Sequence, residues 1–121
     1  MLKLPYKKLS IWQKAMDIAE TVYTVTKDYP KEERFGLIAQ MRAAATAVPS
    51  NIAEGSQRTT NKDFANFILI AKGSLAELET QTLLSQRFGY LSDAKTQQLL
   101  DGIDELSRMM YSFRNTLTTD H

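Results

Sequence analysis

Residues 47–55, Ala-Val-Pro-Ser-Asn-Ile-Ala-Glu-Gly, place a proline inside a segment that otherwise has the period of a long amphipathic helix. An interior proline removes a backbone hydrogen bond and costs a helix about 3 kcal/mol. The apolar positions nevertheless continue through Pro49 in one register: Ile38, Met41, Ala45, Val48 and Ile52. We therefore predict one continuous helix over residues 32–57, with a kink at Pro49.

Three further segments have the same period, and each is bounded by stop or cap residues. Helix 1 is predicted over residues 9–29, where Ser10 and Gln13 have the spacing of a capping box and Pro30 ends the helix. Helix 3 is predicted over 61–88 and helix 4 over 92–117. Their boundary signals are the cap-forming residues 59–61, Gly89 and Ser92.

The connections between these four helices are only a few residues long. Sequential helices must then lie antiparallel beside one another, because a short connection cannot cross the bundle. We expect an all-α fold, an antiparallel up-down-up-down four-helix bundle that forms a single domain over residues 1–121. Gly73, in the middle of helix 3, costs about 1 kcal/mol relative to alanine. We expect close packing against the alanines of helix 2 to compensate for that cost.

Composition excludes several classes of active site. The chain has no cysteine and its only histidine is His121, so thiolate metal sites and histidine-based triads are ruled out. A bundle-core di-metal site needs internal histidines as well as carboxylates. No glycine pattern matches a phosphate-binding loop. We expect no enzymatic activity, no metal and no cofactor. Without a signal peptide or an apolar run of ~20 residues, a cytoplasmic protein is expected.

Helix 1 carries more apolar surface than packing within one bundle requires. Beside its main row of apolar residues runs a second row that includes Trp12, Met16 and Tyr23. Two adjacent rows make a stripe wider than one helix pair needs. We predict that these three residues form an interface in a homo-oligomer.

Charge is divided unevenly along the chain. Residues 1–62 hold 10 lysines and arginines against 6 acids, whereas residues 63–121 hold 5 against 8. The candidate phosphate-binding residues lie in the basic half: Lys7, Lys8, Lys14, Arg42, Arg58 and Lys62. The alternative is structural: a solvated basic face, with Arg58 paired to Glu54 and Arg42 paired to Glu77 or Glu79 of helix 3.

Several blocks of the sequence resemble the bacterial 23S rRNA intervening-sequence proteins. The blocks are Trp12-Gln13-Lys14-Ala15, Phe35-Gly36-Leu37, Gln40-Met41-Arg42, residues 48–55, Phe64, Phe67, residues 73–81 and Gly89-Tyr90-Leu91. The resemblance covers roughly residues 6–117. Within it, the family-motif residues with a predicted structural role are Pro49, Ser50, Asn51, Glu54, Gly55 and Gly73. One departure is Ala43 after Arg42, where the family commonly has a second arginine.

The resemblance implies a four-helix bundle that assembles as a homopentameric ring and has no established enzymatic activity. We expect a non-catalytic, ring-forming scaffold or interaction module. The alternative implied by the related accessory variability determinant of diversity-generating retroelements is a nucleic-acid-binding accessory factor. Such a factor would act on structured RNA or an RNA–DNA duplex, together with a reverse transcriptase.

Overall fold

The computed structural model describes residues 5–118, which form four α-helices and no strand. The helices are α1 (Ser10–Thr26), α2 (Leu37–Ser56), α3 (Asn61–Arg87) and α4 (Asp93–Thr118). Short 3-10 turns at Tyr6–Lys8 and Lys31–Glu33 precede α1 and α2. The predicted all-α class and the four-helix bundle are confirmed.

The helices pack in a closed square. Each helix contacts the next one along the chain, and α4 returns to contact α1, while within residues 5–118 the diagonal pairs make no close backbone contact. One apolar core fills the centre, with Met41, Ile68, Leu78 and Leu106 completely inaccessible to solvent. We call the end where α1 and α3 begin the lower end, and the opposite end the upper end.

Pro49 lies inside a continuous α2, as predicted. The helix does not divide at the proline because Val48 and Ile52, on either side of it, are buried in the same core. Asn51 adds a local bond there, since its side-chain Nδ2 donates to the carbonyl oxygen of Ala47 at 2.8 Å. Packing of one continuous apolar face therefore outweighs the local cost of the proline.

The start of α2 differs from the prediction by five residues, since α2 begins at Leu37 rather than at residue 32. Gly36, with φ −110° and ψ −111°, is not helical and separates the 3-10 turn from α2. The Glu33 carboxylate bridges this break: Oε1 accepts from the backbone N–H of Leu37 at 3.1 Å, and Oε2 accepts from the Tyr90 hydroxyl at 2.9 Å. A side chain thus caps α2 from outside the helix.

The predicted cap at Ser10 is wrong, whereas three other boundary predictions are confirmed. Helix α1 starts at Ser10 itself without a side-chain cap, and Gln13 donates instead to the carbonyl oxygen of Lys7 at 3.0 Å. The Thr60 hydroxyl accepts from the N–H of Asp63, and the Ser92 hydroxyl accepts from that of Lys95.

Gly89, at φ +80°, forms the expected glycine stop after α3. Its N–H donates to the carbonyl of Gln86 and the N–H of Tyr90 donates to that of Ser85, as in a Schellman motif.

The prediction for Gly73 is wrong, and a different glycine makes the close approach between α2 and α3. Among residues 5–118, no atom beyond its helical neighbours lies within 4 Å of a Cβ added to Gly73, which is exposed. A Cβ added to Gly55 would lie 2.6 Å from Cβ of Phe67 and 2.9 Å from Cδ1 of Phe64. Both glycines occur in helical segments, so the sequence alone did not separate them.

Candidate functional site

A groove of about 590 Å³ runs along the outside of the bundle between α1 and α2. Its walls include Trp12, Met16 and Tyr23 from α1, together with Pro49 and Ala53 from α2. We call it the α1–α2 groove. The three predicted interface residues therefore lie along one surface. Met16 and Tyr23 are both 41% exposed, which is high for large apolar side chains.

Trp12 is more enclosed than Met16 and Tyr23. It is half-buried against the core, and the ring of Tyr6 meets it edge-on with 5.5 Å between the centroids. The bond from Gln13 to Lys7 holds the 3-10 turn against α1, which positions Tyr6. Trp12 thus forms the lower end of the groove, while Met16 and Tyr23 supply its accessible apolar surface.

Arg42 forms the upper edge of the groove, which overturns its predicted ion pair with Glu77 or Glu79. Its guanidinium lies over the ring of Tyr23 at 4.4 Å, and Nε donates to the Thr26 hydroxyl at 3.0 Å. Arg42 therefore points toward α1 and away from α3. In the described part of the chain no carboxylate lies within ion-pair distance of it.

The sequence motif at residues 48–55 contributes to two surfaces at once. Pro49, Ser50 and Ala53 line the groove beside α1, where Pro49 is buried and Ser50 is exposed. Val48 and Ile52 face the core, and Gly55 faces α3. The motif therefore combines core packing with one wall of the groove.

The predicted phosphate-binding residues do not all lie together. Lys7, Lys8, Lys14, Arg58 and Lys62 lie at the lower end, since they come from the start of α1 and from the connection between α2 and α3. Lys7, Lys8 and Lys62 are exposed. Arg42 lies in the upper half, beside Thr26. Five of the six candidates can thus share one end of the bundle, and Arg42 is not part of that group.

Two of these lower-end cations already contact acids. Lys14 Nζ lies 2.8 Å from Glu105 Oε1 of α4, and this hydrogen bond and the positive charge lower the pKa of the Glu105 carboxyl. Arg58 pairs with Glu54 at 2.8 Å, as predicted for these residues four apart, and its guanidinium also lies over the ring of Phe67. A phosphate group of a ligand would therefore compete with the carboxylates of Glu105 and Glu54 for these two cations.

Exposed apolar residues outside the predicted set lie on α3, at Tyr111 of α4 and at the upper end. Leu69 and Ile70 are each 53% exposed, and Phe35 is 90% exposed. The α3 residues were a signal available in the sequence, because Leu69 and Ile70 directly follow the core residue Ile68 and extend the apolar stretch beyond one face of the helix. At the upper end, the pKa of Tyr90 is raised mainly by its hydrogen bond to Glu33, and burial adds to this effect.

Residues 5–118 hold no group of three or more histidine, cysteine or acidic side chains arranged to bind a metal ion. Within the same residues, no helix has the length and apolar character that a bilayer crossing requires.

Comparisons with known proteins agree with this fold. The chain is similar to a crystal structure of a protein with unknown function from the S23 ribosomal protein family of Bacteroides thetaiotaomicron VPI-5482, with a TM-score of 0.77 and 20% identity. The match covers 86% of this chain and 97% of that one. The comparison with curated proteins gave no match. The family model of the 23S rRNA-intervening sequence protein matches residues 7–112. The chain belongs to the 23S rRNA-intervening sequence protein family.

Proposed function

We propose that this protein is a non-catalytic, cytoplasmic scaffold that self-associates through the α1–α2 groove. The observation that carries the proposal is the exposure of Met16 and Tyr23 along one continuous groove. Complete burial of an apolar side chain contributes about 1.5–3 kcal/mol, so covering this surface favours association. The proposed assembly is a closed ring, and its number, five, comes from the family resemblance.

The test is the molar mass in solution of the wild type and of a groove variant that carries Met16→Glu and Tyr23→Glu. Two carboxylates in an apolar contact would have to lose their hydration without partners, which opposes association. We expect an oligomer for the wild type and a monomer for the variant, by light scattering at micromolar concentration. Circular dichroism should show unchanged helical content, because both side chains are already partly exposed.

Tyr111→Glu is the matched control. Tyr111 is 60% exposed on α4, outside the groove, so this variant adds a carboxylate at another exposed aromatic position and should keep the wild-type mass. A monomeric wild type would contradict the proposal. A groove variant that remains oligomeric would contradict it as well.

A second function, nucleic-acid binding, is favoured by one specific observation. The lower end carries Lys7, Lys8, Lys14, Arg58 and Lys62, and a ring would repeat this group in every subunit. Repetition of a weak site raises the overall affinity through effective concentration. In this second proposal the partner is structured RNA or an RNA–DNA duplex, held through its backbone phosphates, which carry little sequence information.

Retention of structured RNA as a function of salt tests this second function. Affinity that depends on phosphate contacts should fall roughly linearly with salt on logarithmic axes. Replacement of Lys7, Lys8 and Lys14 by glutamate should abolish the retention. The matched control replaces Lys27, Lys31 and Lys95 of the upper end, which are all exposed, and should retain binding. No retention at low ionic strength, or equal loss in both variants, would reject the proposal.

A further inference from the structure

A second row of small and apolar side chains lies on the outer side of α3. It repeats at steps of four and three residues: Leu69, Gly73, Ala76, Thr80 and Leu83. All five are exposed, while the buried residues of α3, such as Ile68, Leu75 and Leu78, lie on the opposite side of the helix. We call this row the α3 ridge. Its spacing is that of a helix face that packs on another helix.

Packing among residues 5–118 does not explain the glycine and the exposed leucines of this ridge. Gly73 costs α3 about 1 kcal/mol relative to alanine. In the described part of the chain no atom outside its own helix comes within 4 Å of a Cβ added there. Leu69 remains 53% exposed and Leu83 40% exposed. A surface with this pattern is typical of a contact between molecules.

The ridge and the α1–α2 groove lie at the same height on the bundle. At their upper ends, Arg42 bonds to Thr26, and the Ser85 hydroxyl donates to Met41 Sδ at 3.4 Å, so the ends of α1 and α3 are level. At their lower ends, Trp12 and Ala53 line the same groove, and Gly55 nearby on α2 faces Phe67.

The two surfaces also agree in length and shape. At 1.5 Å per residue, the groove from Trp12 to Tyr23 is about 17 Å long and the ridge from Leu69 to Leu83 is about 21 Å long. The groove is concave between two helices, whereas the ridge is the convex side of one helix. A single helix face can therefore lie along the groove over its whole length.

Charged residues border both surfaces, but the apolar row of each is uncharged. Arg42 and Glu20 border the groove, and Glu77 lies beside the ridge on the side of α2. None of the three has an ion-pair partner among residues 5–118. The row from Leu69 to Leu83 itself carries no charge. Contact between this row and the apolar wall of the groove therefore buries no charged group, which would be costly without a partner.

We propose that the α3 ridge of one copy occupies the α1–α2 groove of the next copy. This inference rests on the proposed self-association and names the surface that the groove binds. Because the two surfaces lie on different faces of the subunit, the contact is heterologous, and heterologous contacts that close form rings. When the ring axis runs along the bundle, equal heights face each other, as these two surfaces require.

Two variants that each damage one surface test the pairing. The groove variant carries Met16→Glu and Tyr23→Glu, and the ridge variant carries Leu69→Glu and Leu83→Glu. Each should be a helical monomer by light scattering and circular dichroism. An equimolar mixture should form a 1:1 dimer, because the intact ridge of the groove variant can bind the intact groove of the ridge variant. Tyr111→Glu serves as the control that keeps the wild-type mass.

The outcomes separate this inference from the proposal on which it depends. A ridge variant that stays oligomeric while the groove variant is monomeric would overturn the pairing and leave groove-mediated association intact. Two monomeric variants that form no dimer when mixed would also overturn the pairing. An oligomeric groove variant, or a monomeric wild type, would remove the proposed association itself.

Gly73→Gln gives a milder test of the same contact. Among the described residues, a Cβ added at Gly73 has no neighbour within 4 Å beyond its own helix, and glutamine is a better helix former than glycine, so the monomer should not be destabilised. In the groove of a second copy the side chain would overpack the contact, and we expect the assembly to weaken about tenfold or more. Assembly as strong as that of the wild type would contradict the proposed position of Gly73.

Discussion

Two glycines inside helices, Gly55 and Gly73, occupy opposite environments in this bundle. Gly55 lies where α2 crosses close to Phe64 and Phe67, and a Cβ would have no room there. Gly73 lies on the outer side of α3 with free space around it. The first glycine serves packing within the subunit. The second has no such role, so its cost to α3 must be compensated by something outside the subunit or not at all.

Gly55→Ala should produce the largest loss of stability. The nearest atom to the new methyl group is Cβ of Phe67, which is fixed to the backbone of α3, so a change of rotamer cannot relieve the contact. Separating α2 from α3 should cost about 1–3 kcal/mol in the free energy of unfolding. Urea denaturation measures this change. An unchanged or higher midpoint would show that the helices do not meet as closely as described.

Thr60→Ala should have the next largest effect. The Thr60 hydroxyl caps α3 at the same lower junction by accepting from the N–H of Asp63 at 3.1 Å. Loss of such a cap typically costs about 1 kcal/mol. Ser10→Ala is the matched control, since Ser10 begins α1 without capping it. Equal losses in the two variants, measured by urea denaturation, would contradict the different roles of these hydroxyls.

Gly73→Ala should change stability in the opposite direction from Gly55→Ala. In the groove-variant background, where association is removed, alanine should raise the free energy of unfolding of the monomer by about 1 kcal/mol. The measurement is again urea denaturation. A decrease would mean that Gly73 has a packing role within the subunit, and the contrast with Gly55 would then fail.

Glu105→Gln should have the smallest effect. It tests whether the ion pair between Lys14 of α1 and Glu105 of α4 also stabilises the fold. Lys14 lowers the pKa of Glu105 in the folded state, so the pair contributes stability above the ordinary carboxyl pKa. That contribution is lost as pH falls through the lowered pKa. Glu105→Gln should therefore lower the urea midpoint slightly at neutral pH and leave it unchanged in acid. A larger difference in acid than at neutral pH would refute this assignment.

Local signals predicted most of the helix boundaries. Thr60, Ser92 and Gly89 act within a few residues of the backbone groups that they satisfy, so their sequence context is sufficient. The start of α2 was missed because its cap comes from Glu33, which lies outside the helix and is also held by Tyr90 of the α3–α4 connection, 57 residues further along the chain. A cap fixed by a distant residue leaves no local pattern.

The candidate site was predicted only in part, for a related reason. Helical periodicity placed Trp12, Met16 and Tyr23 on one side of α1, and they do line one groove. Periodicity did not predict that Arg42 lies over Tyr23, because this contact depends on how α1 and α2 are rotated against each other. It also did not separate the basic residues of the lower end from Arg42.

The sequence by itself determined the four helices, their antiparallel order and the identity of the core, because spacing and short connections act along the chain. Only the tertiary structure decided which glycine is enclosed, which cation edges the groove and which face of α3 remains uncovered. These features depend on the distances and rotations between helices. Many side chains set such distances and rotations together, and no local segment of the sequence encodes them.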